Sequence, residues 1–208
     1  GVVRKFAPRA VIFSDKGDVR WIGNESGLAK ETCWSLFDRA SVEIGGGVQD
    51  QMGAGNHLGK DWAPAECDVS IRPGWFYHEA EDEKVKSLSH LLDIYYRSVG
   101  HNCCLHLNVP PNRKGLLSDP DVARLKEFNT AIEANFKTNL AENKPVKSSG
   151  THRGDETKYS ASNLTVKKSF EKGREIRDKF WAPEENETTG WAEIDLEKPT
   201  TFDLILLQ

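Results

Sequence analysis

The 208 residues carry 28 Lys and Arg against 32 Asp and Glu, a formal net charge of -4 with the two signs interspersed. That balance excludes the basic stripe of a nucleic-acid binder and the polybasic anchor of a membrane-surface protein. No apolar run approaches the roughly 18–20 residues that a membrane-spanning helix needs, so neither a nucleic-acid nor a membrane partner is expected.

In chain order, residues 10–13 (AVIF) are a short apolar run bounded by Pro8 and Ser14-Asp15, which predicts a strand buried on both faces. Residues 33–37 predict another short extended piece. Residues 38–60 hold six glycines and almost no periodicity, the composition of a long surface loop of the kind that carries function. Cys67, Val69 and Ile71 alternate with Asp68 and Ser70, the pattern of a half-buried strand, and Pro73-Gly74 stops it before Trp75-Phe76-Tyr77. Val85, Leu88, Leu91, Leu92, Tyr95 and Val99 recur at three and four and predict a helix over 82–98 that Gly100 ends.

A strand follows at 103–109, with Cys103, Leu105, Leu107 and Val109 on one face and Pro110-Pro111 as its stop. Asp119 before Pro120 reads as an N-cap, followed by the stripe Val122, Leu125, Phe128 or Asn129, Ile132 and Phe136. This rhythm is that of a βα barrel or doubly wound sheet, in which loops after the strands carry the chemistry. After Asn143 the composition turns to Lys, Ser, Thr and Gly, so the expected domains are 1–143 and 144–208. In the second, two strands joined by a Pro199 turn, around 191–196 and 202–206, predict the start of an all-β sandwich. The chain starts at Gly1 in what reads as the approach to a strand and stops inside a strand pattern, the expectation for a fragment.

Cys33, Cys67, Cys103 and Cys104 match neither a zinc ribbon nor a CxxC redox pair and read as small buried hydrophobes. A bridge such as Cys67 to Cys103 stays open in an oxidising compartment. His78, His101 and His106 have no ligand spacing, so no metal or organic cofactor is expected. The tripeptides 163–165 and 186–188 have the N-glycosylation pattern of a secreted protein, and 24–26 has it too.

Two stretches carry the functional reading: residues 19–27 (VRWIGNESG) and 62–78 (WAPAECDVSIRPGWFYH). The first sets an Arg, a Trp, an amide and a carboxylate around two glycines, and the second ends a strand in three aromatics. Together with residues 91–95 (LLDIY) and 107–112 (LNVPPN), they resemble the α-L-fucosidases of glycoside hydrolase family 29. The resemblance covers roughly residues 1–140 and is greatest to the plant enzymes and the bacterial subgroup acting on α-1,3/4-linked fucose. The tail, with 180–185 (FWAPEE) and 191–196 (WAEIDL), looks like the opening of the discoidin-like sandwich that follows the barrel in such proteins.

The resemblance implies an α/β fold, the C-terminal part of a (β/α)8-type barrel followed by that sandwich. It implies a retaining hydrolase that removes L-fucose from a fucosylated oligosaccharide or glycoprotein glycan through two carboxylates about 5–5.5 Å apart. Glu25 takes the acid/base position, with Glu66 as its rival and more suited to a hydrogen-bonding role inside the barrel. Trp75 is placed against the C6 methyl of fucose, and Arg20 is placed to bind sugar hydroxyls or hold a carboxylate ionised. Trp62, like Trp21 and Trp34, divides between core and sugar platform, and the 38–60 loop is a candidate for choosing the leaving-group sugar. The nucleophilic Asp of a Trp-x-Asp-Gly motif, which the family carries before the acid/base, has no match in these residues. Secretion to the cell-wall space follows from the plant likeness, and the Asn24 tripeptide overlaps the acid/base and is read as unused. The competing expectation is a non-catalytic sugar-binding protein derived from the same fold.

Overall fold

The alternation around Cys67 builds, in the computed structural model, the middle strand of a parallel sheet. The structure describes residues 1–46, 49–166 and 180–207. In chain order its regular elements are α1 (Val2–Phe6), β1 (Arg20–Trp21), β2 (Leu36–Phe37), α2 (Gln49–Ala54), β3 (Asp61–Trp62), β4 (Ala65–Ser70), α3 (Leu88–Ser98), β5 (Cys103–Asn108), α4 (Asp119–Asn135), β6 (Val146–Ser148), α5 (Glu156–Tyr159) and β7 (Ala192–Ile194). They fall into two units, Gly1–Ala134 and Asn135–Gln208, a boundary earlier than the Asn143 expected from composition.

The first unit is mixed α/β, with three parallel strands in the order β1-β4-β5. Ala65, Cys67 and Val69 of β4, with Ile71 beyond it, are buried, as the alternation requires. Val69 and Ile71 form one core with Leu91 and Ile94 of α3, and Leu105, Leu107, Val109, Leu125 and Phe128 pack against it. Burying a side chain of this size contributes roughly 1.5–3 kcal/mol, so this cluster holds the helices to the sheet.

The helix expected over 82–98 is broken in two. A 3-10 turn at Glu79–Lys84 ends in an extended Val85, and α3 starts afresh at Leu88, where the hydroxyl of Ser87 accepts from the His90 amide at 3.3 Å. The cause is tethering to the strand end: the Lys86 amide donates to the Ile71 carbonyl at 2.9 Å and Asp82 accepts from Arg72 at 2.7 Å. The loop expected at 38–60 contains α2, whose Met52 is fully buried and packs with Phe37, Val42 and Ala63. Gly55 makes this possible, because with φ of +65° a Cβ there would lie 2.3 Å from the Trp34 carbonyl oxygen.

Residues 10–13 are not the buried strand expected of them. Only Phe13 forms a bridge, to Val19, while Val11 and Phe13 face solvent. The segment closes on its own loop instead: the Ile12 amide donates to Asp18 Oδ2 at 2.8 Å and the Asp18 amide to the Ile12 carbonyl at 2.7 Å. In the second unit β7 pairs antiparallel with β6, not with 202–206, which pairs with no described strand and leaves Phe202 and Leu206 exposed. A two-stranded pair, β6 with β7, is therefore what the described residues of this unit contain.

All four cysteines are free, with Cys33, Cys67 and Cys103 buried and Cys104 exposed. The Cys103 thiol donates to Cys33 Sγ at 3.4 Å. That bond and burial push Cys33 up, and for Cys103 the bond to Cys67 and burial outweigh the opposing Cys33 bond and push the thiol up to about 12. Since the thiolate is the nucleophile, mass-mapped alkylation of the native protein should label Cys104 alone, with the other three reacting only after unfolding.

Arg72, fully buried at the end of β4, ties these pieces together. Its Nε donates to both Asp121 oxygens at 3.1 and 3.0 Å, its Nη2 to Asp82 Oδ1 and Ser118 Oγ at 2.7 Å each, and its Nη1 to the His78 carbonyl at 3.2 Å. Burial alone would depress Arg72, but the bonds to Asp82 and Asp121 outweigh it and raise it. Asp121 is itself fully buried. Asp121→Ala should cost ~3–5 kcal/mol in denaturant unfolding, because it strands a buried guanidinium charge; a change below about 0.5 kcal/mol would mean that Asp82 and Ser118 suffice.

Candidate active site

In a parallel sheet the side chains of one strand point alternately to the two faces. With 65, 67 and 69 turned to the buried core, Glu66, Asp68 and Ser70 face the other way, beside Cys104, His106 and Asn108 of β5 in register. This second face is polar. Glu66 bonds the His106 Nδ1 at 2.8 Å, and Asp68 accepts from the Trp21 indole at 2.7 Å.

Beyond the C-terminal ends of β1 and β4 two loops converge. Trp75 Nε1 donates to Glu25 Oε2 at 2.8 Å, joining residues fifty apart in sequence. The Trp75 loop is fixed from below: Ser70 Oγ donates to the Gly74 carbonyl at 2.7 Å, and Asn108 Nδ2 donates to both Ser70 Oγ and the Trp75 carbonyl at 3.1 Å. The Glu25 loop is fixed by Asn24, whose Oδ1 accepts from the Ser26 amide at 3.0 Å and from its hydroxyl at 2.6 Å, while Nδ2 donates to the Leu28 carbonyl at 3.1 Å. Gly27, at φ +75°, lets this loop lie on the core, since a Cβ would come within 2.8 Å of Val69 Cγ1. Glu25 is exposed, with one oxygen engaged by the indole and the other left for a ligand.

Asp68 stands beneath this pair. Burial raises its carboxyl above the ordinary range, the Trp21 bond opposes that, and the negative charge of Glu25 pushes it further up. It was not singled out from sequence, although its place on the polar side of the alternation with Glu66 and Ser70 was the available signal.

The other residues expected at the site lie elsewhere. Arg20 is fully buried, and its nitrogens donate to the carbonyls of Met52 at 2.7 Å, Ala63 at 2.6 Å and Trp34 at 3.0 Å, so the guanidinium is spent inside the core. Its sequence position at the entry of β1, not the exit, accounts for this. Trp62 is exposed but sits on β3, before the N-terminal end of β4, so the length of that strand separates it from Trp75. Glu66 faces the polar side beside His106, one turn of the strand pleat below Asp68. An open depression of about 340 Å³ behind the Glu25 loop is lined by Asn24, Ser26, Lys30 and Arg97 and includes neither Glu25 nor Trp75. Among the described residues no group of three or more His, Cys, Asp or Glu is disposed to hold a metal ion.

A family model described as alpha-L-fucosidase matches residues 23–137. The chain belongs to the alpha-L-fucosidase family. It is 46% identical over 205 residues to Alpha-L-fucosidase 1 of Arabidopsis thaliana, covering 98% of this chain and 38% of the relative. It is 42% identical over 209 residues to a rice relative (Oryza sativa subsp. japonica), covering 100% of this chain and 38% of that one. Among solved structures, the Ruminococcus gnavus GH29 fucosidase in complex with fucose matches with a TM-score of 0.73 at 35% identity, over 88% of this chain and 35% of that chain. The structure of SpGH29 matches with a TM-score of 0.81 at 33% identity, over 97% and 42%. The chain thus spans about two fifths of the length of the curated relatives it matches.

Because Asp68 binds its proton more tightly folded than unfolded, its ionised form costs stability above its folded pKa. That cost disappears as pH falls into the ordinary range of a carboxyl group. Asp68→Asn, which keeps an acceptor for Trp21, should therefore unfold at a higher temperature than the parent at pH 7, with the gap closing in acid. A gap that widens in acid would contradict the assignment.

Proposed function

We propose that this chain carries the acid/base side of an exo-acting α-L-fucosidase that removes terminal α-1,3/4-linked L-fucose from glycans with retention of configuration. The observation that carries the reading is the 2.8 Å bond between Trp75 and Glu25 beyond the strand ends, on a chain of the alpha-L-fucosidase family. The R. gnavus neighbour is in complex with fucose, so a fucosylated oligosaccharide or glycoprotein glycan is the fitting substrate class. The three parallel strands are read as a segment of a (β/α)8-type barrel, and the β6–β7 pair as the opening of a discoidin-like sandwich. The likeness to the Arabidopsis and rice relatives supports the plant-type subgroup and, with it, secretion to the cell-wall space. A non-catalytic sugar-binding derivative is not favoured by such close likeness to a protein named as a fucosidase.

In this mechanism Glu25, protonated on the oxygen that Trp75 does not engage, gives its proton to the glycosidic oxygen as the C1–O bond breaks. A second carboxylate, which the resemblance assigns to an Asp preceding these residues in the whole protein, attacks C1 from the opposite face. Glu25, now ionised, takes a proton from the water that releases fucose. The indole N–H stabilises the carboxylate in that second state by a charge-assisted bond, and the apolar face of Trp75 suits the C6 methyl of fucose.

Glu25→Ala in the full-length protein should lower kcat on a fucosylated glycan about 10²–10⁴-fold. The loss should be smaller on an aryl fucoside whose leaving group needs no proton. Added azide should restore turnover and yield a fucosyl azide of the substrate's own anomeric configuration. Unchanged activity would remove Glu25 from the mechanism, and an azide of opposite configuration would remove retention.

A further inference from the structure

The three Asn-x-Ser/Thr tripeptides, at Asn24, Asn163 and Asn186, are equivalent as patterns but not as sites. N-glycosylation joins the side-chain amide nitrogen of Asn to C1 of a lipid-pyrophosphate-linked oligosaccharide. The C1–N bond forms, the bond from C1 to the pyrophosphate oxygen breaks, the amide gives up one proton and lipid pyrophosphate leaves. A folded protein accommodates the product only where that nitrogen can lose a donor and face open solvent.

Asn24 fails on both counts. Its Nδ2 donates to the Leu28 carbonyl at 3.1 Å, its Oδ1 is occupied by Ser26, and a glycan there would cover Glu25. Asn163 fails as well, because its amide nitrogen serves two carbonyls, Lys158 at 3.0 Å and Phe180 at 3.3 Å. The hydroxyl residue of its tripeptide, Thr165, is only 2% exposed and donates to the Lys144 carbonyl at 3.0 Å.

Asn186 differs in each respect. It is exposed, as is Thr188, and no described residue bonds either side chain. It occupies the third position of a turn closed by the Glu187 amide on the Glu184 carbonyl at 3.1 Å, with φ of +72°, a backbone that Asn tolerates. The flanking residues hold the turn from behind: Glu185 takes Arg153 through two bonds at 3.0 and 2.9 Å, and Glu187 Oε2 accepts from Ser149 Oγ at 3.1 Å. These anchors leave Asn186 at the tip.

We propose that Asn186 is the N-glycan acceptor of this region and that Asn24 and Asn163 stay unmodified. The inference rests on the secretory reading given above. To keep the two apart, the full-length protein is expressed behind a heterologous secretion signal in a eukaryotic host, treated with glycoamidase in heavy-oxygen water and mapped by mass spectrometry. The expected result is heavy Asp at 186 and unlabelled Asn at 24 and 163. Thr188→Ala, which leaves the turn residue in place, should abolish that label without changing the thermal midpoint by more than a degree or so. A bare Asn186 in secreted protein, or a glycan on Asn24 or Asn163, overturns the proposal. Fractionation of the source tissue tests secretion separately: natural protein outside the secretory route would sink that reading while the host experiment still reports which asparagine is chosen.

Discussion

Arg72 is the side chain on which the site depends. A guanidinium removed wholly from water is tolerable only when its donors are matched, and here they meet two carboxylates, a hydroxyl and a carbonyl. Those acceptors come from four places in the chain: the loop after β4, the 3-10 turn, the residue before α4 and α4 itself. One cation therefore fixes the exit of β4, the departure of the chain toward α3 and the arrival of α4. Its plane also lies over the Tyr77 ring at 4.8 Å, so the aromatic run that contains Trp75 is gripped from its far end.

From that anchor the position of Glu25 follows in short steps. Asn108, one strand over, reaches across to Ser70 and to the carbonyl of Trp75, which sets the indole over the strand ends. The indole then holds one oxygen of Glu25. An exposed carboxylate on a glycine-flanked loop would otherwise sample many rotamers, and a hydrogen bond to a ring with two torsions, itself braced, removes most of that freedom. Arg20 does comparable work at the other end of β1, where its three carbonyl bonds draw the 33–37 segment and α2 against the sheet. Arg20 and Arg72 are thus both spent on interior bonds of this unit.

What could be read from sequence was what local pattern encodes. The strand around Cys67, the strand at Cys103–Asn108, the loops after strands and the start of α4, one residue earlier than an Asp119 cap implies, follow from period, proline stops and capping residues. What could not be read depended on partners distant in the chain. The helix over 82–98 has an unbroken apolar stripe, and the tethers from Arg72 to Asp82 and from Lys86 to Ile71 explain why it breaks into a 3-10 turn and a separate α3. Residues 10–13 are apolar enough for a buried strand, yet burial needs a neighbour on each side, and pattern cannot supply one. Arg20 lay in the right motif but on the wrong side of β1, a distinction that the sequence makes only once the strand is placed.

The convergence of Glu25 and Trp75 follows from their places on loops after strands, whereas the bond between residues fifty apart is set by no periodicity. Asp68 shows the converse. Its period marked it as a polar residue on a strand otherwise buried, and that marking is the stronger physical signal of the two. A carboxylate held beside another must be compensated or protonated, and Trp21 supplies one donor for it where water would supply several. The polar face of β4 is therefore costly for the fold to maintain, and it lies directly beneath the loop that carries Glu25.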